Sequence, residues 1–305
     1  MKKCKCIVIL STKSSGSSAC QNFLSEFADI KHIQKTRHYE YETLYWTKAA
    51  SILGKPQADM LDSEVPIPRK LARRDLITLL TDNLGPFDVP SDDKKLIFDG
   101  WIQLCKNYSP IFLEKSPHHL YQWSALELII EAIQWDKNVD WFLIGLVRNP
   151  MDVLYSAFRR WKSIPEKLQY EWLVSYQNLH RLADILPDKH LMIRYEDMVS
   201  SVDFLRPAFD FCEVSMEEHG TPYFHGKSVH KWKGDRLFGF QLDGAVMELA
   251  KTYGYEDDDL VNTRKVMWPA YRSAARAQHK TISKSKTALK KAIFDLKLGR
   301  LVGRK

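Results

Sequence analysis

Two segments of this chain combine a short apolar run, a turn rich in hydrogen-bond donors and a helical pattern. The first segment reads CIVILSTKSSGSSACQNFL near the start, and the second reads FLIGLVRNPMDVLYSAFRRW near the middle. Unpaired N–H groups at the start of a helix attract phosphate, so each segment could bind an anion. Two such sites in one domain favour a ligand with phosphate groups at both ends, a doubly phosphorylated nucleotide rather than a triphosphate.

The first segment predicts a buried strand over Cys6–Leu10, then a small polar turn and a helix from Ser17. Gly16 lets the backbone approach an anion closely. The turn also supplies donors at Lys13, Ser15, Ser17 and Ser18. An ATP-type P-loop has lysine directly after its second glycine, whereas here Ser17 follows Gly16, which argues against a magnesium-dependent NTPase. An ordinary serine-capped turn is the alternative interpretation.

The second segment predicts a strand over Trp141–Val147 and a helix that has Pro150 in its first turn. Ser156 lies eight residues after Arg148 and can face back toward it from the helix. An arginine fork and a hydroxyl together suit a phosphate dianion. The alternative is an arginine paired with Asp152 and a serine packed in the helix.

Together the two segments resemble those of the PAPS-dependent sulfotransferases, in particular the bacterial and glycan-type branch. PAPS is 3′-phosphoadenosine 5′-phosphosulfate. In that family a turn of the type [KR]-[ST]-G-[ST]-[ST] holds the 5′-phosphosulfate, and a later arginine with a serine eight residues on holds the 3′-phosphate. The resemblance implies that the nucleotide is bound by Lys13, Ser14, Ser15, Gly16, Ser17, Ser18, Ala19, Arg148 and Ser156.

Other segments extend the resemblance from about residue 5 to about residue 254. LEKSP at 113–117 is similar to the family's EK[ST]P segment, and IRYEDM at 193–198 to its RYEDL segment. A Lys-Trp pair and a later Gly-Tyr pair also recur in many members. The resemblance implies nucleotide contacts by Tyr195, Lys231 and Lys233, the two lysines in a basic loop over the 3′-phosphate. The alternative for that loop is a solvated turn with Trp232 packed inward.

The implied reaction moves a sulfuryl group from PAPS to a hydroxyl or amine of a carbohydrate, a lipid-linked molecule or a small molecule, with PAP as the product and no metal ion. Such chemistry needs positioning, a cation at the leaving oxygen and a base. The family usually has the cation two residues before the loop glycine, where this chain has Ser14. Lys13 is therefore the candidate cation, and Lys115 is a second one.

The base is expected in the stretch HYEYE, at Glu42 or His38, with Glu40 as a third candidate. The resemblance implies that the base corresponds to the catalytic glutamate of glycan sulfotransferases or to the catalytic histidine of cytosolic sulfotransferases. The acids could instead cap the helix that follows. His118 and His119 are expected to be structural.

Two other functions remain open from the sequence. The loss of a cation at Ser14 would suit a PAP- or PAPS-binding protein without transferase activity. A P-loop kinase would need a lysine after Gly16, which is absent.

The alternation of strand-like and helical segments predicts an α/β domain, with a central parallel sheet covered by helices on both faces. Its ligands would bind beyond the carboxyl ends of the strands. Predicted strands include 110–114 and 189–194, and predicted helices include 69–84, 120–135 and 165–186. We expect a sulfotransferase domain at 1–271, with the P-loop-like fold of that family, and a basic tail at 272–305.

Composition narrows the location and the partners. The five cysteines are scattered and the sequence has no run of eighteen apolar residues or signal peptide, so we expect a cytoplasmic protein. The cysteines lack zinc-site spacing, and we expect no metal and no nucleic-acid partner. The net charge of +7 is concentrated in 272–305, which carries eleven of the 45 Lys and Arg residues but one of the 38 acids.

The end of the chain, at 284–305, has a basic amphipathic pattern. This helix could lie on an anionic membrane or bind an acidic partner, or it could pack on the domain with its lysines solvated. Deleting the residues after Thr281 distinguishes these interpretations. Membrane binding predicts a folded, active core that no longer sediments with anionic liposomes. The membrane interpretation would be contradicted if the full chain never sediments with liposomes and the truncated core loses thermal stability.

Overall fold

Five parallel strands form one sheet in the computed structural model, which describes residues 3–216, 224, 226–264 and 268–279. The strand order is β2-β3-β1-β4-β5, and every pair is parallel. The strands are β1 (Cys4–Ser11), β2 (Ile30–His32), β3 (Ile111–Lys115), β4 (Val139–Val147) and β5 (His190–Arg194). The carboxyl ends of the central three strands, β3, β1 and β4, therefore lie side by side at one end of the sheet.

The helices come between and after these strands. They are α1 (Ser17–Leu24), α2 (Tyr45–Ile52), α3 (Arg69–Leu84), α4 (Asp93–Asn107), α5 (His118–Tyr121), α6 (Trp123–Trp135), α7 (Pro150–Trp161), α8 (Pro165–Ile185), α9 (Tyr195–Ser200), α10 (Arg206–Cys212), α11 (Lys231–Gly234), α12 (Gly244–Thr252) and α13 (Asp257–Leu260). Residues 268–279 are also helical. Short 3₁₀ turns occupy Tyr39–Tyr41, Pro187–Lys189, Val202–Leu205 and Gly226–Ser228.

The side chains of β1 alternate between two apolar cores, one on each face of the sheet. Cys6, Val8 and Leu10 pack with α2, α3, α4, α6, α8 and α12 on one face. Ile7 and Ile9 pack with α1, α9 and α10 on the other. A strand whose side chains alternate between two buried faces must be apolar throughout, which explains its continuous hydrophobic run. The predicted α/β architecture is confirmed.

Two local differences from the predicted elements have physical reasons. Three-residue β2 at the sheet edge was not predicted, because so short a run carries no period. The predicted helix over 120–135 is interrupted at Gln122, whose side chain accepts from Ala58 N (2.9 Å) and donates to Ala58 O (2.7 Å). These bonds hold Gln122 in an extended conformation between α5 and α6.

The helix at 268–279 crosses the predicted boundary at residue 271. Trp268 is buried against Phe158 and Phe238, and Arg276 donates to the Lys162 carbonyl at 2.7 Å. The predicted amphipathic tail at 284–305 lies outside the described residues. Within the described residues, no helix is both long and apolar enough to cross a membrane.

Candidate active site

A cavity of about 740 Å³ lies at the end of the sheet where the carboxyl ends of β3, β1 and β4 meet. It brings together predicted site residues from both anion-binding segments, namely Lys13, Ser14, Gly16, Ser17, Ser18, Glu42, Arg148 and Ser156. Its lining does not include Ser15, Ala19, His38, Lys115, Tyr195, Lys231 or Lys233. Parallel strand order therefore joins two turns that are far apart in the sequence.

The turn after β1 is bent by left-handed backbone at two residues. Ser14 has φ 65° and Gly16 has φ 89°. The ring of Tyr195 lies directly against Gly16, so that a Cβ at this position would overlap the ring. No side chain caps the start of α1 in the described structure, so the first N–H groups of this helix remain available to a ligand.

Ser15 and Lys13 leave the turn in different directions. The Ser15 hydroxyl is buried, 2.5 Å from Thr12 Oγ1 and 3.2 Å from the Tyr176 hydroxyl, so it braces the turn from inside. The Lys13 amine lines the cavity and donates to the carbonyls of Leu61 (2.9 Å) and Asp62 (3.0 Å). Burial lowers the pKa of Lys13, although nearby carboxylates oppose the shift.

Arg148 connects the two turns. Its Nη1 donates to the Ser14 carbonyl at 2.8 Å and its Nη2 to the Ser228 carbonyl at 2.8 Å. The guanidinium lies 4.4 Å from the centre of the Tyr195 ring, a cation–π distance. Its Nε is buried without a partner in the described structure. A buried donor of this kind is costly unless an anion or water satisfies it.

Asn149 and Pro150 start α7, the helix that carries Ser156. The Asn149 side chain accepts from Met151 N (2.8 Å) and Asp152 N (3.3 Å), which caps the helix. The capped helix directs Ser156 into the same cavity as Arg148.

Three of the motif segments meet at Glu196 of the RYEDM segment. Its carboxylate accepts from the backbone N–H of Asn149 at 3.1 Å and from the Tyr255 hydroxyl at 2.7 Å. The RNP turn, the RYEDM helix and the Gly254-Tyr255 pair are thus held together by one carboxylate.

A cluster of charged groups lies beside the cavity, at the end of β3. Lys115 has a fully buried side chain, and its Nζ lies 3.2 Å from Glu42 Oε1, 3.2 Å from Ser18 Oγ and 4.0 Å from Glu40 Oε2. Ser18 also donates to Glu40. Burial raises the pKa of Glu42, and the positive charge of Lys115 opposes this shift. A carboxylate with a raised pKa in a cavity is suited to take a proton.

His38, the other predicted base, is not part of the cavity lining. Its Nδ1 lies 3.3 Å from Glu64 Oε1. Burial, with the charges of Lys48 and Arg37, lowers the pKa of His38 to about 4. The geometry therefore favours Glu42.

The two histidines after the EKSP segment have different surroundings. His119 is buried in the interior, with Nε2 3.4 Å from Glu114 Oε1. His118 lines the cavity, with Nδ1 3.6 Å from Glu42 Oε2. Sequence reasoning placed neither in the site. Adjacent histidines on a four-residue helix carry no periodic signal that tells which one faces a cavity.

The remaining cavity residues were given no role in the sequence analysis, apart from Glu40, the third candidate base. They are Tyr39, Glu40, Leu61, Asp62, Pro117, Ala157, Arg160, Trp161, Ser163 and Leu168. In the described part of the chain, no group of three or more His, Cys, Asp or Glu residues is arranged to hold a metal ion.

The two lysines of the predicted basic loop are not part of the cavity lining. Lys231 is exposed and Lys233 Nζ lies 3.3 Å from Asp259 Oδ1, while Trp232 is packed inward. The contact with the site comes instead from Ser228, whose Oγ lies 2.6 Å from the Tyr195 hydroxyl and whose carbonyl accepts from Arg148. Nucleotide contacts by the two lysines stay a prediction.

Comparisons with known proteins agree with this architecture. A family model described as "Sulfotransferase family" matches residues 6–218. The fold is similar to that of a sulfotransferase domain from the curacin biosynthetic pathway, with a TM-score of 0.54, 18% identity, and coverage of 84% of this chain and 99% of that one. It is also similar to the sulfotransferase domain of the Synechococcus PCC 7002 olefin synthase, with a TM-score of 0.53, 18% identity, and coverage of 84% and 97%. A comparison with curated proteins found no match. At this identity the two structures establish the fold alone.

The contact between Gly16 and Tyr195 generates a first prediction. Gly16→Ala should destabilise the chain more than Gly54→Ala in urea unfolding. Both glycines have positive φ, which costs a non-glycine residue about 1–2 kcal/mol, but a Cβ at Gly54 meets open space. The extra loss should shrink when Tyr195→Ala removes the ring, as a double-mutant cycle measures. Equal losses in the two glycine variants would contradict the crowding.

Proposed function

We propose that the chain, which belongs to the sulfotransferase family, moves a sulfuryl group from PAPS to an acceptor hydroxyl or amine and releases PAP. The observation that carries this proposal is that both predicted anion-binding turns line the same cavity. A nucleotide with phosphate groups at both ends matches a cavity lined both by the Gly16–Ser18 turn and by Arg148 with Ser156. The buried, unpartnered Nε of Arg148 supports an anionic ligand there.

Within this proposal, Lys13, which lines the cavity, and Lys115, which is buried beside it, stabilise the charge that develops on the departing phosphate. Lys13 extends along the cavity wall from the turn that would hold the phosphosulfate. Lys115 contacts Ser18 at the start of α1. Fixed charges and N–H groups in a partly buried site stabilise a transition state more than water does, because they need no reorganisation.

Glu42 is the carboxylate on which the proton step depends in this proposal. It lines the cavity, whereas His38 does not. Lys115 fixes Oε1 of Glu42, and Oε2 lies 3.6 Å from the buried Nδ1 of His118. This division leaves one carboxylate oxygen for proton chemistry.

A PAP-binding protein without transferase activity is the alternative that one observation favours. Ser14 occupies the usual cation position, and the Lys13 amine is bound by the Leu61 and Asp62 carbonyls. Transfer of label from PAPS separates the two functions, since a binding protein would hold PAP and transfer nothing.

Arg148→Ala should weaken PAP binding by about 1.5–3 kcal/mol, because a charged contact to phosphate is lost. Calorimetric titration with PAP measures the affinity, and circular dichroism checks the fold. Arg159→Ala is the matched control, since Arg159 lies on α7 but outside the cavity and pairs with Asp235. Ser156→Ala should have a smaller effect in the same direction. An unchanged affinity in Arg148→Ala would remove the main argument for this nucleotide.

Glu42→Gln should abolish sulfuryl transfer while PAP binding is retained, and His38→Asn should leave transfer largely intact. The reason is that Glu42 reaches the cavity and His38 does not. The assay follows label from ³⁵S-PAPS to a panel of hydroxyl and amine acceptors and to water. Transfer that survives Glu42→Gln but is lost in His38→Asn would reverse the assignment.

A further inference from the structure

Three of the five cysteines, which are scattered in the sequence, lie together in the fold. Cys4 and Cys6 are two residues apart on β1, so their side chains share one face of the sheet. Helix α4 packs on this face and carries Cys105 near its end. The Cys105 thiol is hydrogen-bonded to the Cys4 thiol and to the Cys6 thiol. The fold thus builds a cluster of thiols at the amino-terminal end of β1, far from the cavity at its carboxyl end.

The three thiols differ in their access to solvent. Cys6 and Cys105 are completely buried, whereas Cys4 is only partly buried. The Cys4 sulfur lies 2.7 Å from the carbonyl oxygen of Cys105, to which its S–H donates. A small oxidant that comes from solvent therefore meets Cys4 first, and the oxidised sulfur has Cys105 beside it.

The acidity of the thiols points to the same order of reaction. Burial raises the pKa of Cys105 well above its usual value, and burial also raises the pKa of Cys6. The hydrogen bond from the Cys105 thiol lowers the pKa of Cys4, burial opposes this effect, and the charge of Lys106 adds to it. Since the thiolate is the form that attacks a peroxide, Cys4 is the reactive member of the cluster.

The other two cysteines provide a comparison within the same chain. Cys20 and Cys212 both lie in the apolar core on the opposite face of the sheet. Burial raises the pKa of each to about 12. They have the environment of structural cysteines, which behave as small apolar residues and resist oxidation.

We propose that Cys4 and Cys105 form a redox-active pair, in which a peroxide oxidises Cys4 and Cys105 then closes a disulfide onto it. The observation that carries this proposal is a partly buried thiol held against a fully buried one by facing elements, β1 and α4. The pair lies outside the cavity, so the proposal does not depend on the proposed function.

The reaction has two steps. In the first, the Cys4 thiolate attacks one oxygen of the peroxide and the O–O bond breaks, which leaves a sulfenic acid on Cys4 and a hydroxide that takes up the proton released by the thiol. In the second, the Cys105 sulfur attacks the Cys4 sulfur and the S–OH bond breaks, and the Cys105 proton leaves with the hydroxyl as water. The two thiols are oxidised to one disulfide, and hydrogen peroxide is reduced to two waters.

Peptide mapping of the oxidised full-length chain tests the pair, because Lys5 separates Cys4 from Cys6. The reduced chain is treated with hydrogen peroxide, and the remaining thiols are blocked with N-ethylmaleimide in denaturant. Cleavage after lysine then releases Cys4 in the dipeptide 4–5, Cys6 in the peptide 6–13 and Cys105 in the peptide 96–106.

Mass spectrometry without reductant should find the peptide 96–106 joined to the dipeptide 4–5, with the loss of two hydrogen atoms. Dithiothreitol should remove the link, and Cys20 and Cys212 should keep their blocked thiols. A link from 96–106 to 6–13 would overturn the assignment of Cys4. Conversion of Cys4 to its sulfinic acid without any link to 96–106 would overturn the pair.

Variants separate the two steps. In Cys105→Ser the sulfenic acid of Cys4 should accumulate and be trapped by dimedone, and Cys105→Ala replaces this variant if it does not fold. In Cys4→Ser, Cys105 should stay a thiol at the peroxide concentration that closes the link in wild type. Cys212→Ser, a buried cysteine on the other face, is the matched control and should form the link normally. Oxidation of Cys105 in Cys4→Ser at the wild-type rate would refute the proposed order of reaction.

Discussion

The hydrogen bond from Arg148 to the carbonyl of Ser14 is the contact on which the site depends. It joins the turn after β1 to the turn after β4, two segments that the sheet places side by side but does not itself connect. A buried guanidinium must find acceptors, and here they are the backbone carbonyls of Ser14 in the first turn and of Ser228 in the 3₁₀ turn Gly226–Ser228. The charge that would attract a phosphate therefore also fixes the shape of its binding site. The Tyr195 ring completes the arrangement, because it stacks on Arg148 and leaves room only for glycine at Gly16.

Charge compensation also fixes the side chains at the end of β3, beside the part of the cavity that holds Glu42. The last residues of β3 alternate between faces, so that Glu114 and Lys115 point in opposite directions. Burial opposes the charged form of Glu114, yet His119 and hydroxyl donors hold its pKa below the usual value. One of those donors, Ser116, also accepts the backbone N–H groups of Thr43 and Leu44 at 3.0 Å.

This interior network fixes the residues that follow Glu42 in the chain. On the other face, Lys115 holds Glu42 itself. A buried cation left without such a partner would be strongly destabilising, so the cluster must form as a whole. Positioning of Glu42 thus results from charge compensation on both faces of one strand.

The sequence predicts those parts of the structure in which a strand or helix pattern in the hydrophobic residues leads directly into a turn with recognisable chemistry. β1, α3 and β4 follow from apolar runs and helical spacing, and the two anion turns follow from strand, donor-rich turn and helix in succession. The orientation of single side chains could not be predicted in this way. Ser15 and Ser17 look equivalent in the sequence, but the left-handed backbone at Ser14 and Gly16 turns one inward and the other into the cavity. His118 and His119 differ for a similar reason, since only tertiary packing separates adjacent residues of a single helical turn.

The walls of the cavity also differ in how strongly the fold fixes the positions of their residues. One wall holds the two predicted anion-binding turns and comes from strand ends and helix starts, whose positions the parallel sheet fixes. A second wall comes from residues to which the sequence analysis gave no role, Tyr39, Leu61, Asp62, and Arg160 and Trp161 at the end of α7. Lys13 links the two walls, because its amine is held by the carbonyls of Leu61 and Asp62. Under the proposed function, the first wall binds the donor nucleotide and the second meets the acceptor. A chain divided in this way can change its acceptor by substitutions in the second wall while Arg148, Gly16 and Glu42 keep the same chemistry.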